Sequence, residues 1–162
     1  MKSNPWNIAG SVIFRPSSNQ NRKKLLTLHQ WRPQPLNEKI KEYFKNPRNL
    51  EVMPDATIMG KGGDPGCGDY IELYLKIEKD VIIKASAMVA GCPYAIATTS
   101  AFTEMITNKS LDDAMMIAGD QVVTFLGELP QEKIHCSLMG PEALRNAAHN
   151  YIMARICTPM AS

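Results

Sequence analysis

A glycine-rich stretch, residues 61–69, ends in a thiol and a carboxylate that could bind a metal ion. It contains four glycines in nine residues, so its backbone can pass close to a bound group. Cys67 and Asp69 lie two residues apart, and residues at this spacing in an extended segment point in the same direction. We therefore interpret the stretch as half of a metal site, in a loop that leads directly into a strand.

Two further cysteines lie beside residues that favour a binding role. Cys92 lies between a glycine and a proline at the predicted start of a helix, and Cys136 follows His135 in a predicted connection before the last helix. Thiolate and imidazole groups suit zinc or iron. Each cysteine taken singly could instead be a buried free thiol. Since the chain has no Cys-x-x-Cys pair, the residues alone leave both interpretations open. Cys157 lacks such neighbours and is interpreted as a non-ligand.

The ligand types predict how tightly such a site would bind an iron–sulfur cluster. Electron-transfer iron–sulfur clusters are typically held by four thiolates. A site that uses the oxygen of Asp69 in place of one thiolate should bind a soft cluster more weakly. The combination favours assembly and release over permanent binding. A structural zinc site, which would unfold when the metal is removed, is a further alternative.

Hydrophobic periodicity predicts an α+β domain, with an antiparallel sheet of about three strands and helices packed on one face. Strict alternation over Tyr70–Glu78 indicates a strand with one buried face, and a turn at Lys79–Asp80 leads into a strand over Val81–Val89. Strands followed by helices are typical of the α+β class. The other predicted elements are a helix capped by Asn37 that ends before Pro47, a first strand over 53–59, a helix after Cys92, helices over 110–117 and 120–126, and a last helix beginning near Pro141.

Length and charge predict one domain with a basic extension. A chain of 162 residues can bury one sizeable core. Residues 1–37 contain six Lys or Arg and no Asp or Glu, whereas the remainder contains 12 basic and 16 acidic residues. We predict a basic, poorly ordered N-terminal extension at 1–35, a folded domain at 36–157 and a C-terminal tail at 158–162.

The composition also bears on partners and location. No stripe of basic and aromatic residues indicates nucleic-acid binding. The uncharged run 85–103 is broken by Gly91 and Pro93, so no membrane span is predicted. Without a secretory signal, free cysteines indicate a reducing compartment, and the cytoplasm is the predicted location. The acid-free extension resembles an organelle transit peptide in composition, which makes the mitochondrial matrix the alternative.

Residues 36–156 resemble, in order and over nearly their whole length, the iron–sulfur cluster assembly scaffolds of the IscU type and the N-terminal domain of NifU. This ordered series of motifs is far more specific than any single cysteine. The matching segments are Glu38-Lys39-Ile40, Asn46-Pro47-Arg48-Asn49, Gly66-Cys67-Gly68-Asp69, Gly91-Cys92, Thr103-Glu104, Lys109-Ser110-Leu111-Asp112, Leu129-Pro130, Glu132-Lys133-Ile134-His135-Cys136-Ser137 and Glu142-Ala143-Leu144.

The resemblance implies a set of ligands and a set of partners. It implies that Cys67, Cys92 and Cys136 hold a transient 2Fe–2S cluster, with Asp69 and His135 as further ligands, and that Cys136 accepts persulfide sulfur. It implies that iron enters the site, that zinc can occupy it, and that the protein is a scaffold and carrier, not an enzyme. The implied partners are a cysteine desulfurase, a frataxin-like protein, a ferredoxin, a J-protein with its DnaK-type chaperone, and apo iron–sulfur proteins.

Two features bear on which branch of the family the chain resembles. The chaperone-recognition segment, usually Leu-Pro-Pro-Val-Lys, is Leu129-Pro130-Gln131-Glu132-Lys133 here, which weakens the expectation of a dedicated chaperone. The related zinc-dependent sulfur carriers of the SufU type have an insertion before the third cysteine and lack the histidine before it. His135 therefore argues against the alternative function, a zinc-bound sulfur-transfer relay resembling a sulfurtransferase.

Overall fold

The computed structural model describes residues 36–64, 66 and 68–157. The predicted extension at 1–35, the predicted tail at 158–162 and Cys67 lie outside the described residues. In chain order the elements are helix α1 (Glu38–Lys45), strands β1 (Ile58–Asp64), β2 (Asp69–Glu78) and β3 (Val81–Ala90), helices α2 (Pro93–Ile106), α3 (Leu111–Met115) and α4 (Gly119–Leu126), a 3₁₀ turn (Gln131–Lys133) and helix α5 (Ile134–Cys157).

The three strands form an antiparallel sheet in the order β1–β2–β3. On β2, Ile71, Leu73 and Leu75 are fully buried and alternate with half-buried residues, because successive side chains of a strand point to opposite faces. Lys79 and Asp80 both have positive φ, as in a tight two-residue hairpin turn whose twist matches that of the strands. The predicted sheet and the predicted turn are both confirmed.

The helices pack against the apolar face of this sheet. Helix α5 contacts β1 and β2, while α2 contacts β3 and also lies against α1, α4 and α5. Because it has neighbours on most sides, α2 is buried nearly all round. The predicted α+β class is confirmed. The buried residues of α2 are Ala95, Ala97, Thr98, Thr99, Ser100, Ala101, Phe102, Thr103 and Ile106.

Two predicted helix starts have the expected caps. Asn37 precedes α1, and its side-chain oxygen accepts a hydrogen bond from the amide of Ile40 at 2.8 Å. Ser110 precedes α3, and its hydroxyl oxygen accepts from the amide of Asp113 at 3.1 Å. Each cap supplies a partner for a backbone N–H that the first helical turn leaves unpaired.

The predicted first strand was placed too early in the sequence. Residues 53–57 belong to the connection before β1, in which Met53 is buried and Asp55 forms an ion pair with Lys76 at 2.6 Å. Strand β1 instead begins at Ile58 and includes half of the stretch predicted as a loop. Glycine has a low β-propensity, so the sequence pattern gave no signal for this strand, which is held by pairing with β2.

The glycines of β1 allow helix α5 to lie very close to the strand. A Cβ atom added at Gly60 would lie 2.1 Å from the carbonyl oxygen of Ala143, and one at Gly62 would lie 2.2 Å from that of Met139. Both distances are far inside van der Waals contact. Both glycines therefore serve the packing of strand against helix. For Gly62, the sequence had suggested the approach of a bound group instead.

The last helix begins at Ile134, seven residues before the predicted start at Pro141. Proline is favoured in the first helical turn, which is why the sequence suggested a start there. Pro141 lies inside the helix because the preceding turns bury Cys136 and Met139 in the core. The stability gained from this packing outweighs the loss of the one backbone hydrogen bond that proline cannot make. Cys136 thus belongs to the first turn of a long helix, and its prediction as a connection residue was wrong.

None of the helices formed by the described residues combines the length and the apolar character needed to span a membrane.

Candidate metal centre

Three separate parts of the chain bring the predicted ligands to one end of the sheet. Asp69 is the first residue of β2, and Cys92 is the residue that caps α2 after β3. His135 and Cys136 lie in the first turn of α5. Antiparallel pairing brings the start of β2 beside the end of β3, and α5 crosses the same end. Secondary structure therefore fixes where these four side chains meet.

The side chains converge at distances that suit a single ion. Cys136 Sγ lies 3.7 Å from Cys92 Sγ, 3.6 Å from His135 Nε2 and 3.9 Å from Asp69 Oδ2. His135 Nε2 lies 3.4 Å from Asp69 Oδ2. In a tetrahedral site with bonds of about 2.0–2.3 Å, ligand atoms lie about 3–4 Å apart. Asp69, His135 and Cys136 fit this spacing as a group, and Cys92 Sγ fits it with respect to Cys136. Cys67, the fifth candidate, lies outside the described residues.

Asp69 also completes the start of helix α2. The side chain of Cys92 makes no capping hydrogen bond, and the first turn of α2 contains no acidic residue. The backbone N–H of Cys92 instead donates to Asp69 Oδ1 at 3.2 Å. A carboxylate is stabilised at a helix N-terminus by the helix dipole, so one oxygen of Asp69 is held by the helix while the other faces Cys136 and His135.

Gly91 leaves the space that this carboxylate occupies. A Cβ atom at this position would lie 2.6 Å from Asp69 Oδ1 and 2.9 Å from the Cβ of Ala95. Any side chain here would therefore displace the carboxylate or the first turn of α2. The sequence gave no signal for this role, since the contact joins residues 22 positions apart in the chain.

Cys136 is a thiol buried in the core, with a raised pKa. The residue is 1% exposed and belongs to the hydrophobic core. Burial, together with the neighbouring Cys92 thiol and the Asp69 carboxylate, raises the pKa of the Cys136 thiol to about 12. Thiol ligands bind metals as thiolates, so metal binding at this position must displace a proton.

The site opens to solvent on the side of His135. The side chain of His135 is 56% exposed, compared with 20% for Asp69. An open cavity of about 400 Å³ lies beside these two residues, lined also by Leu138, Met139 and Glu142 of α5. Free space next to the candidate ligands therefore lies beside the imidazole.

Cys157 lies at the opposite end of α5 and is exposed. It is 21 residues from Cys136, or about 32 Å along a helix. This agrees with its interpretation as a non-ligand.

One supporting residue was missed from the sequence. The hydroxyl of Thr98, on α2, lies 3.1 Å from the carbonyl oxygen of Cys136. In the sequence, Thr98 is one of several small residues in an apolar helix, and only the packing of α2 against α5 reveals its partner.

The fold and the site together define a class of protein: a small α+β domain that presents thiol, carboxylate and imidazole groups at one end of its sheet. The chain belongs to the NifU-like N-terminal domain family, whose model matches residues 36–158. The resemblance found in the sequence is thereby confirmed.

Two curated relatives illustrate the range of this family. The nitrogen fixation protein NifU of Azotobacter chroococcum is 47% identical over 116 residues, which are 70% of this chain and 38% of that protein. The iron–sulfur cluster assembly scaffold protein IscU 1 of Archaeoglobus fulgidus is 40% identical over 114 residues, again 70% of this chain but 74% of the relative. The chain thus spans well under half of the NifU protein and about three quarters of the IscU protein.

Solved structures share the fold at lower sequence identity. A scaffold candidate for iron–sulfur cluster assembly in the SUF system of Fervidobacterium islandicum AW-1 superposes with a TM-score of 0.57 at 22% identity, covering 68% of this chain and 93% of that one. The N-terminal part of a NifU-like protein from Brucella abortus also gives 0.57, at 16% identity, covering 72% and 94%. At these identities the two structures support the fold alone.

Proposed function

We propose that this protein is a scaffold on which a 2Fe–2S cluster is assembled from iron and sulfur and then passed to apo-proteins. The observation that carries the proposal is the convergence of Asp69, His135 and Cys136 on one point, with Cys92 Sγ 3.7 Å from Cys136 Sγ. The relatives add support, because the Archaeoglobus protein and an Aquifex aeolicus relative, 40% identical over 119 residues, both bear the name of iron–sulfur cluster assembly scaffold.

The donor set suits a cluster that has to leave again. Cys67, Cys92 and Cys136 supply soft thiolates, which favour iron–sulfur clusters and zinc. Asp69 and His135 supply a hard oxygen and an imidazole, and both are candidates for ligands that exchange during release. The exposed imidazole lies on the open side of the site, where an acceptor protein would approach.

Cys136 is the proposed sulfur acceptor. In the transfer step its thiolate attacks the outer sulfur of a persulfide on a cysteine desulfurase, a new S–S bond forms, and the desulfurase cysteine leaves as a thiolate. Cys136 is 1% exposed, and a cavity lies beside His135. We therefore propose that the donor approaches past His135 and that the imidazole moves aside during transfer. The reaction chemistry of sulfur release belongs to the desulfurase, so the role proposed here is that of a carrier and not of an enzyme.

The partners proposed for this role follow from its chemistry. Cluster assembly needs a sulfur donor, an iron source, electrons and acceptors, for which we propose a cysteine desulfurase, a frataxin-like protein, a ferredoxin and apo iron–sulfur proteins. A J-protein and DnaK-type chaperone are proposed with a modified contact at residues 129–133. We propose a cytoplasmic location, with the mitochondrial matrix as the alternative.

Anaerobic reconstitution tests the proposal. The protein is incubated with ferrous iron, cysteine and a cysteine desulfurase, and cluster absorbance is followed with iron and sulfide analysis. The wild type and Cys157→Ser should reach one 2Fe–2S cluster per chain, whereas Cys136→Ser should fail. A wild type that forms no cluster, or a Cys136→Ser protein that forms a full one, contradicts the proposal. One tightly held zinc with no cluster would instead support the sulfur-transfer relay.

A further inference from the structure

Helices α2 and α5 approach each other closely beside the ligand cluster. A Cβ atom at Gly140 of α5 would lie 2.6 Å from the ring of Phe102 on α2, so the two helices are packed without space between them at this level. Cys92 begins one of these helices and Cys136 lies in the first turn of the other. The distance between the two sulfurs therefore depends on how the helices are held together.

Thr98 links the two helices at Cys136, one of the candidate ligands. It lies six residues after Cys92, and its residue is 2% exposed. Its hydroxyl is 3.1 Å from the carbonyl oxygen of Ala95 on its own helix and equally 3.1 Å from that of Cys136 on α5. A threonine hydroxyl in a helix commonly bonds back to its own preceding turn. The contact with α5 is not part of that common pattern. It joins the Thr98 hydroxyl to the backbone of the buried Cys136.

The neighbouring Thr99 provides a natural comparison. It is 1% exposed on the same helix, but its hydroxyl oxygen has no hydrogen-bond partner among the described residues. The two side chains thus share residue type, helix and burial, and they differ in whether the hydroxyl reaches α5. Replacing Thr99 by the isosteric valine removes a hydroxyl that bonds to nothing described, so it should be neutral or stabilising.

We propose that Thr98 is a positioning residue of the metal site, whose hydroxyl fixes the first turn of α5 against α2 and so sets the separation of Cys92 and Cys136. This inference rests on the proposed function only in taking the two thiols as ligands of one metal group. Loss of the contact should leave the fold intact, but the sulfur atoms of Cys92 and Cys136 should no longer be held at a fixed separation.

Co²⁺ binding measures the effect on the site. Titration followed by thiolate-to-metal absorbance gives the dissociation constant for the wild type, Thr98→Val, Thr98→Ser and Thr99→Val. Thr98→Val should bind about three- to tenfold more weakly, the factor expected for one hydrogen bond. Thr98→Ser, which keeps the hydroxyl, should bind like the wild type, and so should Thr99→Val. Urea unfolding of the metal-free proteins shows whether a change in affinity exceeds any change in stability.

A metal-free measurement separates this inference from the proposed function. In a chain carrying Cys67→Ser and Cys157→Ser, Cys92 and Cys136 are the remaining thiols, and diamide can oxidise them to a disulfide by accepting their two electrons and two protons. With Thr98→Val in that background, disulfide formation should be several-fold slower than with Thr99→Val. This result would support the inference even if wild-type protein bound no Co²⁺, an outcome that would count against the proposed function alone.

Equal Co²⁺ affinity and equal oxidation rates for Thr98→Val and the wild type would overturn the inference, as would losses of the same size in Thr99→Val. If Thr98→Val does not fold, Thr98→Ser is compared with Thr98→Ala, since both lack the methyl group and differ only in the hydroxyl. Equal Co²⁺ affinity and equal oxidation rates for Thr98→Ser and Thr98→Ala would also overturn the inference.

Discussion

The carboxylate of Asp69 contacts each of the other three described residues that are candidate ligands. One oxygen accepts the backbone N–H of Cys92, and the other lies within 4 Å of the Cys136 sulfur and of the His135 ring. It occupies space that a side chain at position 91 would take. At the scale of single residues, the geometry of the site is therefore organised around this one side chain.

Replacing Gly91 by alanine tests this organisation. The added methyl would lie 2.6 Å from Asp69 Oδ1, so the carboxylate must move and its bond to the Cys92 amide must weaken. We expect Co²⁺ affinity to fall about tenfold, near the value of one charge-assisted hydrogen bond. Because part of the effect acts through Asp69 and part through the 2.9 Å contact with the Cβ of Ala95, Gly91→Ala should cost less affinity in an Asp69→Ala protein than in the wild type. A fully additive loss would exclude this explanation.

Asp69→Ala should also change how fast the cluster leaves. Removing the hard oxygen ligand leaves a site of softer donors, which exchange a cluster less readily. We expect slower transfer from the reconstituted variant to an apo-ferredoxin, followed by the spectrum of the acceptor. Faster transfer than from the wild type would contradict the role given to this residue in release.

The residue scale also shows what a sequence can and cannot reveal about a site. Asp69, Cys92, His135 and Cys136 were candidates from their neighbouring residue types, and the family resemblance implied that they act as one group. In the structure they lie at the same end of the sheet. The burial of Cys136 and its raised pKa were not predictable, because they arise from the packing of α5 against the core. The supports from Gly91 and Thr98 were also missed, since each is a contact between distant parts of the chain.

At the scale of elements, strand β1 and helix α5 form a close pair on which the site depends. Besides the glycine contacts, three side chains at successive turns of α5 pair with the outer edge of β1. Glu142 accepts from the amide of Gly63 at 3.0 Å, and Asn146 and Asn150 donate to the carbonyls of Lys61 and Met59 at 2.7 and 3.3 Å. An edge strand usually exposes these groups. Their pairing holds the strand that leads to Cys67 against the helix that carries Cys136.

Gly62→Ala should disturb this pair and destabilise the domain. The new Cβ would lie 2.2 Å from a backbone oxygen of α5, which cannot move without displacing the helix. We expect a loss of about 1–3 kcal/mol in the free energy of unfolding, typical of overpacking, measured by urea denaturation. Lys61→Ala, at the exposed neighbouring position, is the matched control and should change the stability by about 0.5 kcal/mol or less.

Element prediction succeeded where the local sequence pattern decided the structure. The alternation of β2, the turn at Lys79–Asp80 and the caps of α1 and α3 were all predicted correctly, since each depends on a few adjacent residues. The start of β1 and the start of α5 were not. In both cases tertiary packing overrides a local preference, the low β-propensity of glycine in β1 and the preference of proline for a helix start in α5.

At the scale of the whole molecule, helix α1 is joined to α2 by a partly buried polar contact. The hydroxyl of Tyr43 donates to Glu104 at 2.5 Å, and Arg48 donates to the same carboxylate at 3.3 Å. Arg48 also lies over the Tyr43 ring, 4.3 Å from its centroid. The contact lies on helix α2, which also contains Thr98 and begins after Cys92.

This contact predicts a specific loss of stability in alkali. Burial, and then the hydrogen bond to Glu104, raise the pKa of Tyr43 to about 12, from an ordinary value near 10. A group whose pKa is raised by folding contributes stability that is complete below its unfolded pKa and is lost as the pH rises through the folded one. Between pH 10 and 12 the wild type should therefore lose more stability than Tyr43→Phe, as measured by urea denaturation. Parallel pH profiles for the two proteins would contradict this.

The central claim is that three thiols from separate parts of the chain bind one metal group. The most direct measurement is the thiolate-to-metal absorbance of the Co²⁺-loaded protein, compared among Cys67→Ser, Cys92→Ser, Cys136→Ser and Cys157→Ser. The account predicts that each of the first three loses the intensity of one thiolate ligand, while Cys157→Ser matches the wild type. An unchanged spectrum for any of the first three, or a loss of intensity in Cys157→Ser, would contradict it.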